Sequence, residues 1–430
     1  MRRLALGVAL TGAAAPALAH TGERGFVMLL PTGLYLTGGA LAVLLSFVVM
    51  GLLPSGLLRI SVRTARHREP VPYVGIFSFL FLAMLLACGW AGSRDPLDNP
   101  LPLTVWTLWW VGFTFLNALL GDLWRHLHPW RVLPLREGRP WKAGYWPAVA
   151  LFLAFAWLEL IYPAPQDPAI LASIVAAYFV FTALALMAFG KAWLEHGEAF
   201  SVFFRTVSRL APPWRRLMAG EVLPAGLVAF VLLVLATVSF DGLSRTFWWL
   251  GLIGENPLEH PGRSAVMLPN TLGLLCTFLV FVLGYGITGK LGAALIGSRD
   301  AGYGYYVLSI VPIAFGYHFA HYFPAFLVDA QYALRAFSDP LERGWDLFGT
   351  RDLHVRTSFL ADHASVTVIW NVQVAAIVAA HVAAVFVAHA LALRRHGAAR
   401  TALVSQVPMT GLMIGYTVLG LWLLSTPVAG

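Results

Sequence analysis

Charge is what this chain has least of. Its 430 residues include 29 Lys and Arg and 21 Asp and Glu, so 12% are charged. An ordinary soluble domain carries about 25%. Cysteine is scarce as well. Cys88 and Cys276 are the only two, both inside apolar runs, which excludes a disulfide scaffold and says little about redox compartment. No low-complexity tract points to disorder. No Walker loop, G-x-S-x-G, G-x-G-x-x-G, H-E-x-x-H or C-x-x-C-H occurs, so no recognised nucleophile, phosphate loop, zinc helix or haem attachment names a reaction.

What the chain has is apolar sequence: 59% hydrophobic residues and a mean hydropathy of +0.73. A soluble fold of this length could not hide that surface. The fold class expected is therefore an all-α, polytopic transmembrane helical bundle. Residues 1–19 read as a signal peptide. They comprise a basic Met1-Arg2-Arg3, an apolar Leu4 to Ala15 too short to span a bilayer, and a small-x-small site at Ala17-Leu18-Ala19. Residues 20–430 then form a single integral membrane domain. Apolar runs near 29–53, 71–92, 101–121, 144–163, 167–190, 222–242, 268–293, 303–330, 364–392 and 406–426 predict about ten spans.

The few cations orient those spans. Of the 29 Lys and Arg, 19 fall in the odd-numbered connections, among them Arg125, Arg131, Lys191, Lys290 and Arg394. Cytoplasmic connections carry the basic excess. Both mature termini are therefore expected in the periplasm of a bacterial inner membrane, which an exported N-terminus also requires. The net charge of +8 is then no nucleic-acid signature. Two stretches mixing aromatics with Arg, near 123–141 and 193–218, are expected to lie on anionic headgroups. Periplasmic loops near 240–267 and 331–363 are long enough to cap a site or dock a partner.

Ionisable side chains at bilayer depth cost on the order of 2.5–3.5 kcal/mol each, so they need a reason. In Gly316-Tyr-His-Phe-Ala-His-Tyr-Phe-Pro324, His318 and His321 share a helix face, and Asp329 extends that stripe by three turns. The next span carries Trp370, Asn371, Gln373, His381 and His389. His318 and His381 both fall near mid-span, so His318, His321 and His381 could meet on one metal or one haem iron. Glu159, Asp241, Asn270, Asp329 and Asn371 read as an acidic vestibule. Interhelical hydrogen bonding and a proton relay account for the same histidines without any metal.

His20 would become the mature N-terminus, where its amino group and imidazole suit copper(II). His354 and His363 sit in a loop on that side. His126 and His128 look like a metal pair, but lie in the interfacial stretch, where an amphipathic segment explains them as well.

Several blocks together resemble a known family. They are Ala17-Leu-Ala-His20, His128-Pro-Trp-Arg131, Gly197-Glu-Ala-Phe-Ser-Val-Phe-Phe204, Val238-Ser-Phe-Asp-Gly242, Ala320-His-Tyr-Phe323, Ser338-Asp-Pro-Leu341, Ile369-Trp-Asn-Val-Gln373 and the His381/His389 helix. The chain resembles the bacterial membrane proteins called fenitrothion hydrolases, and is loosely similar to copper-resistance membrane proteins. The resemblance implies organophosphate triester hydrolysis, whereas His20 and the buried histidines favour a protein that handles a transition metal, copper, from the periplasmic side; as a metal-dependent hydrolase the chain would use Asp329 or Asp241 as base. Two further readings stay open. One is electron transfer through haem b, with His318 or His321 and His381 as axial ligands. The other is an anchoring subunit for a periplasmic oxidoreductase.

Overall fold

The computed structural model describes residues 32–52, 73–134, 138, 141–212, 214, 216–259 and 262–428. The expected signal segment and His20 lie outside them. The helices that build the bundle are α1 (Thr32–Leu52), α2 (Tyr73–Ala91), α3 (Pro100–Leu120), α4 (Trp146–Leu160), α5 (Pro168–Phe189), α6 (Ala199–Val207), α7 (Ala225–Ser244), α8 (Met267–Leu295), α9 (Val311–Ser338), α10 (His363–His396) and α11 (Ala399–Ser425). Each of the ten expected spans is therefore helical, with α6 as an addition. Eight of them are long and apolar enough to cross a membrane. The other two are α4, with 15 residues, and α9, which has 28 residues but falls short in apolarity. The chain is a multi-pass membrane protein.

Local chemistry sets the helix ends. Asp167 caps α5 by accepting from the Ala169 and Ile170 amides, with Pro168 at the first helical position. Asp362 caps α10 by accepting from the Ser365 amide. Gly190 and Gly397 close these two helices with φ of 62° and 72°, a backbone region that suits glycine. Within α3, Leu103–Phe113 is wound as a π-helix, a departure that often marks a functional site.

The centre of the bundle is α9, packed against α3, α7 and α10. Small residues let α9 and α10 approach closely: a Cβ added at Gly316 would collide with the Cβ of Ala380. Pro324 sits inside α9 and cannot donate to the carbonyl of Ala320, one turn earlier. Gln373 of α10 supplies the missing donor, its Nε2 lying 2.6 Å from that oxygen. In an apolar bundle a freed carbonyl needs such a partner.

Among the described residues, parts of the two stretches expected on headgroups pack against other helices. In α6, Ala199, Phe200, Val202, Phe203, Phe204 and Val207 are all buried, and Phe203 reaches the rings of Trp110 and Phe152. Glu198 caps this helix from a fully buried position. Its carboxylate accepts from the Phe200 and Ser201 amides and from the Tyr178 hydroxyl, which satisfies a charge that would otherwise be costly. In the other stretch His128 and Trp130 are buried, and Trp130 donates to the Phe179 carbonyl. The aromatic faces that suggested lipid contact found a protein groove.

Candidate functional site

Three helices carry polar groups to one place. Glu159 comes from the end of α4, Asp241 from the last turn of α7, and His321 and Tyr322 from the middle of α9. The Tyr322 hydroxyl is 2.7 Å from Asp241 Oδ2 and 3.0 Å from Glu159 Oε1. His321 Nε2 is 2.9 Å from the same Asp241 oxygen. Arg245, just beyond α7, faces Asp241 Oδ1 at 3.5 Å. Arg263 donates to the Glu159 and Tyr162 carbonyls. Trp110 of α3, placed by the π-helical stretch, packs edge-on against His318 with ring centroids 5.0 Å apart, and Tyr322 packs on the other side of that imidazole at 4.8 Å.

Hydrogen counting decides the state of this cluster. A phenol has one hydrogen, so Tyr322 can donate to one carboxylate only. The second short contact needs a proton from the other carboxyl group. Asp241 has Arg245 and His321 beside it and is the natural anion. With Tyr322 donating to Asp241, the contact to Glu159 is satisfied when Glu159 is protonated and donates to the Tyr322 oxygen. Two bare carboxylates sharing one phenol in an apolar bundle would repel with little solvent to screen them.

Beside the cluster runs a crevice lined by Trp110, Thr114, Phe152, Thr206, His318 and Tyr322, among others. Its cavity volume is about 30 Å³. That is room for a small number of waters.

The expected metal set does not assemble. The His381 ring lies 5.7 Å from that of Tyr416, and Tyr416 and Tyr317 stand between it and His321. His318 is enclosed by Trp110 and Tyr322. Among the described residues, no group of three or more His, Cys, Asp or Glu is placed to hold a metal ion.

The vestibule also separates into unrelated parts. Asn270 accepts from the Trp249 indole, and Asn371 accepts from the Tyr35 hydroxyl. Asp329 is buried on α9, but eleven residues from His318 is about 16 Å along the axis. Glu159 and Asp241 meet through Tyr322. His389 pairs with Gln406 at 3.3 Å, well along α10 from the cluster. His354 and His363 are exposed. Burial pushes His128 down to about 3, helped by neighbouring Arg131, so it stays neutral and suits a packing role.

Compared with known proteins, the chain matches no family model, no curated protein and no solved structure. The site therefore has to speak through its own chemistry.

Sequence reasoning singled out His321 and both carboxylates but passed over Tyr322, Tyr317, Arg245 and Trp110. A signal was available. Tyr317, His318, His321 and Tyr322 follow an i, i+1, i+4, i+5 pattern that lines one face of a helix with exchangeable protons.

Proposed function

We infer that this multi-pass membrane protein holds and passes protons inside its helical bundle, using Glu159, Tyr322, Asp241 and His321 as a relay. The observation that carries the reading is a single phenol bridging two buried carboxyl groups that converge from separate helices. Such a bridge stores one proton and has a direction: from Glu159 through Tyr322 to Asp241, where His321 can take it up. Intramembrane acids and histidines in chains of this kind serve proton movement. His318 and the adjoining crevice give the relay a place to meet water. The basic bias of the odd-numbered connections favours the bacterial inner membrane, with both mature termini periplasmic.

The test is proton flux. Full-length protein in liposomes enclosing a pH-sensitive dye, driven by a potassium diffusion potential, should acidify or alkalise the lumen faster than protein-free liposomes. Asp241→Asn and Tyr322→Phe should each lower that flux at least about tenfold, since either one breaks the only bridge. Wild-type flux equal to that of empty liposomes overturns the reading.

A further inference from the structure

One buried phenol takes no part in the cluster just described. Tyr317 is 1% exposed, and its hydroxyl makes no hydrogen bond. An orphaned buried hydroxyl is destabilising, so its retention asks for a reason. Its ring stacks parallel to His321, with centroids 6.1 Å apart, and on the other side faces Tyr416 at 6.3 Å. The hydroxyl lies over Gly242, the residue after Asp241, where any Cβ would collide with it. Tyr317 thus stands between the carboxyl cluster and a second set of exchangeable groups.

That second set has a defined polarity. Ser239 donates to the Leu235 carbonyl at 2.6 Å, so its oxygen must accept at its 2.7 Å contact with the Tyr416 hydroxyl. His381, 1% exposed, has Nδ1 at 2.8 Å from the Ile377 carbonyl. A carbonyl only accepts, so the imidazole hydrogen sits on Nδ1. Nε2 is left as a bare lone pair without a hydrogen-bond partner, beside the Tyr416 ring. A buried base with an empty acceptor thus lies two phenols away from a buried proton store.

We propose that Tyr317 is the switch that carries protons from the Asp241–His321 pair to His381 by way of Tyr416. The Asp241–His321 pair gives up one proton to the Tyr317 oxygen as that phenol's own O–H bond breaks toward Tyr416. Tyr416 turns from Ser239 and releases its own hydrogen to His381 Nε2, taking the incoming one from Tyr317. Each phenol gains one proton and loses one, His381 becomes an imidazolium, and no electrons move. The Tyr317 hydroxyl and His381 Nε2 have no partner at rest, so each hop runs through a ring rotation or one bridging water. This second leg rests on the proton-transfer reading of the cluster.

The test compares wild type, Tyr317→Phe and His381→Asn in the same liposome assay, with thermal stability in detergent measured alongside. The Tyr317 hydroxyl makes no hydrogen bond, so its removal keeps the ring and its packing. A purely structural role predicts unchanged flux. The proposal predicts at least a tenfold loss of flux at unchanged stability. His381→Asn retains a donor for Ile377 while removing the basic Nε2, and should show the same loss. Flux within twofold of wild type in either variant overturns the proposal while leaving the Glu159–Tyr322–Asp241 relay standing. No flux in the wild type itself removes the relay reading and this inference together.

Discussion

Helices α8 and α9 are nearly the same length, 29 and 28 residues, and share little else. α8 reads as a span at once, yet only 17% of its most apolar window is buried inside the protein. Its Leu268, Leu272, Leu279, Val280 and Leu283 point outward. α9 falls short of the apolarity expected of a span, and it is the helix around which the bundle is built. Two histidines, three tyrosines and an internal proline lower its hydropathy, and His318, His321, Tyr317 and Tyr322 line the site. Apolar sequence shows where the membrane is. Polar sequence that a helix keeps in spite of the membrane shows where the chemistry is.

That contrast can be broken by substitutions made in parallel. The largest expected effect comes from a bulky residue at the α9–α10 contact. Gly316→Leu should destabilise the protein by about 3 kcal/mol, at the upper end for overpacking, because Ala380 and the Ala376 carbonyl already touch that face. Gly286→Leu on α8 meets open space and should be neutral or slightly stabilising. Thermal melts of the two in detergent check the difference; equal losses would mean that α9 is no more tightly held than α8.

A smaller effect is expected from Gln373→Leu. It strands the Ala320 carbonyl freed by Pro324, at a cost of roughly 1–2 kcal/mol. Chemical-denaturation midpoints would show it, and Thr288→Val on α8, whose hydroxyl bonds mainly within its own helix, should change less.

A pH-dependent effect concerns His128, in a segment packed against the bundle. His128 has its folded value lowered to about 3 from 6.5, so the folded state binds protons less readily than the unfolded one. Its contribution is intact above 6.5 and declines as the pH falls toward 3, by up to about 1 kcal/mol per pH unit. His128→Asn should flatten that acid loss, visible as a smaller drop in melting temperature between pH 7 and about pH 5. An unchanged slope would assign the acid sensitivity elsewhere.

Much of this architecture was legible in the sequence, because spans are long and their apolar runs unambiguous. The positions of α1 to α5, α7, α8 and α10 follow from hydropathy within a few residues, whereas α9 (Val311–Ser338) lies further along the chain than the expected 303–330 and α11 (Ala399–Ser425) starts well before the expected 406. The site was legible only in its members. His321, Glu159 and Asp241 stand out as ionisable residues in apolar runs, but which of them meet depends on helix neighbours and rotations that no periodicity encodes. Hence His381 was grouped with His318 and His321, although Tyr416 and Tyr317 separate them. Asn270 and Asn371 were grouped with the acids, although Trp249 and Tyr35 hold them. Phe200, Phe203 and Phe204 were assigned to lipid because an amphipathic face looks the same whether a bilayer or a protein groove receives it.

The central claim is that the cluster holds one proton more than its phenol can provide, and infrared spectroscopy reads this directly. At neutral pH the wild type should show the carbonyl stretch of a protonated carboxylic acid in an apolar setting, shifted in heavy water and lost in Glu159→Gln. A spectrum without a protonated carboxyl band, or one whose band survives Glu159→Gln unchanged, would contradict the account.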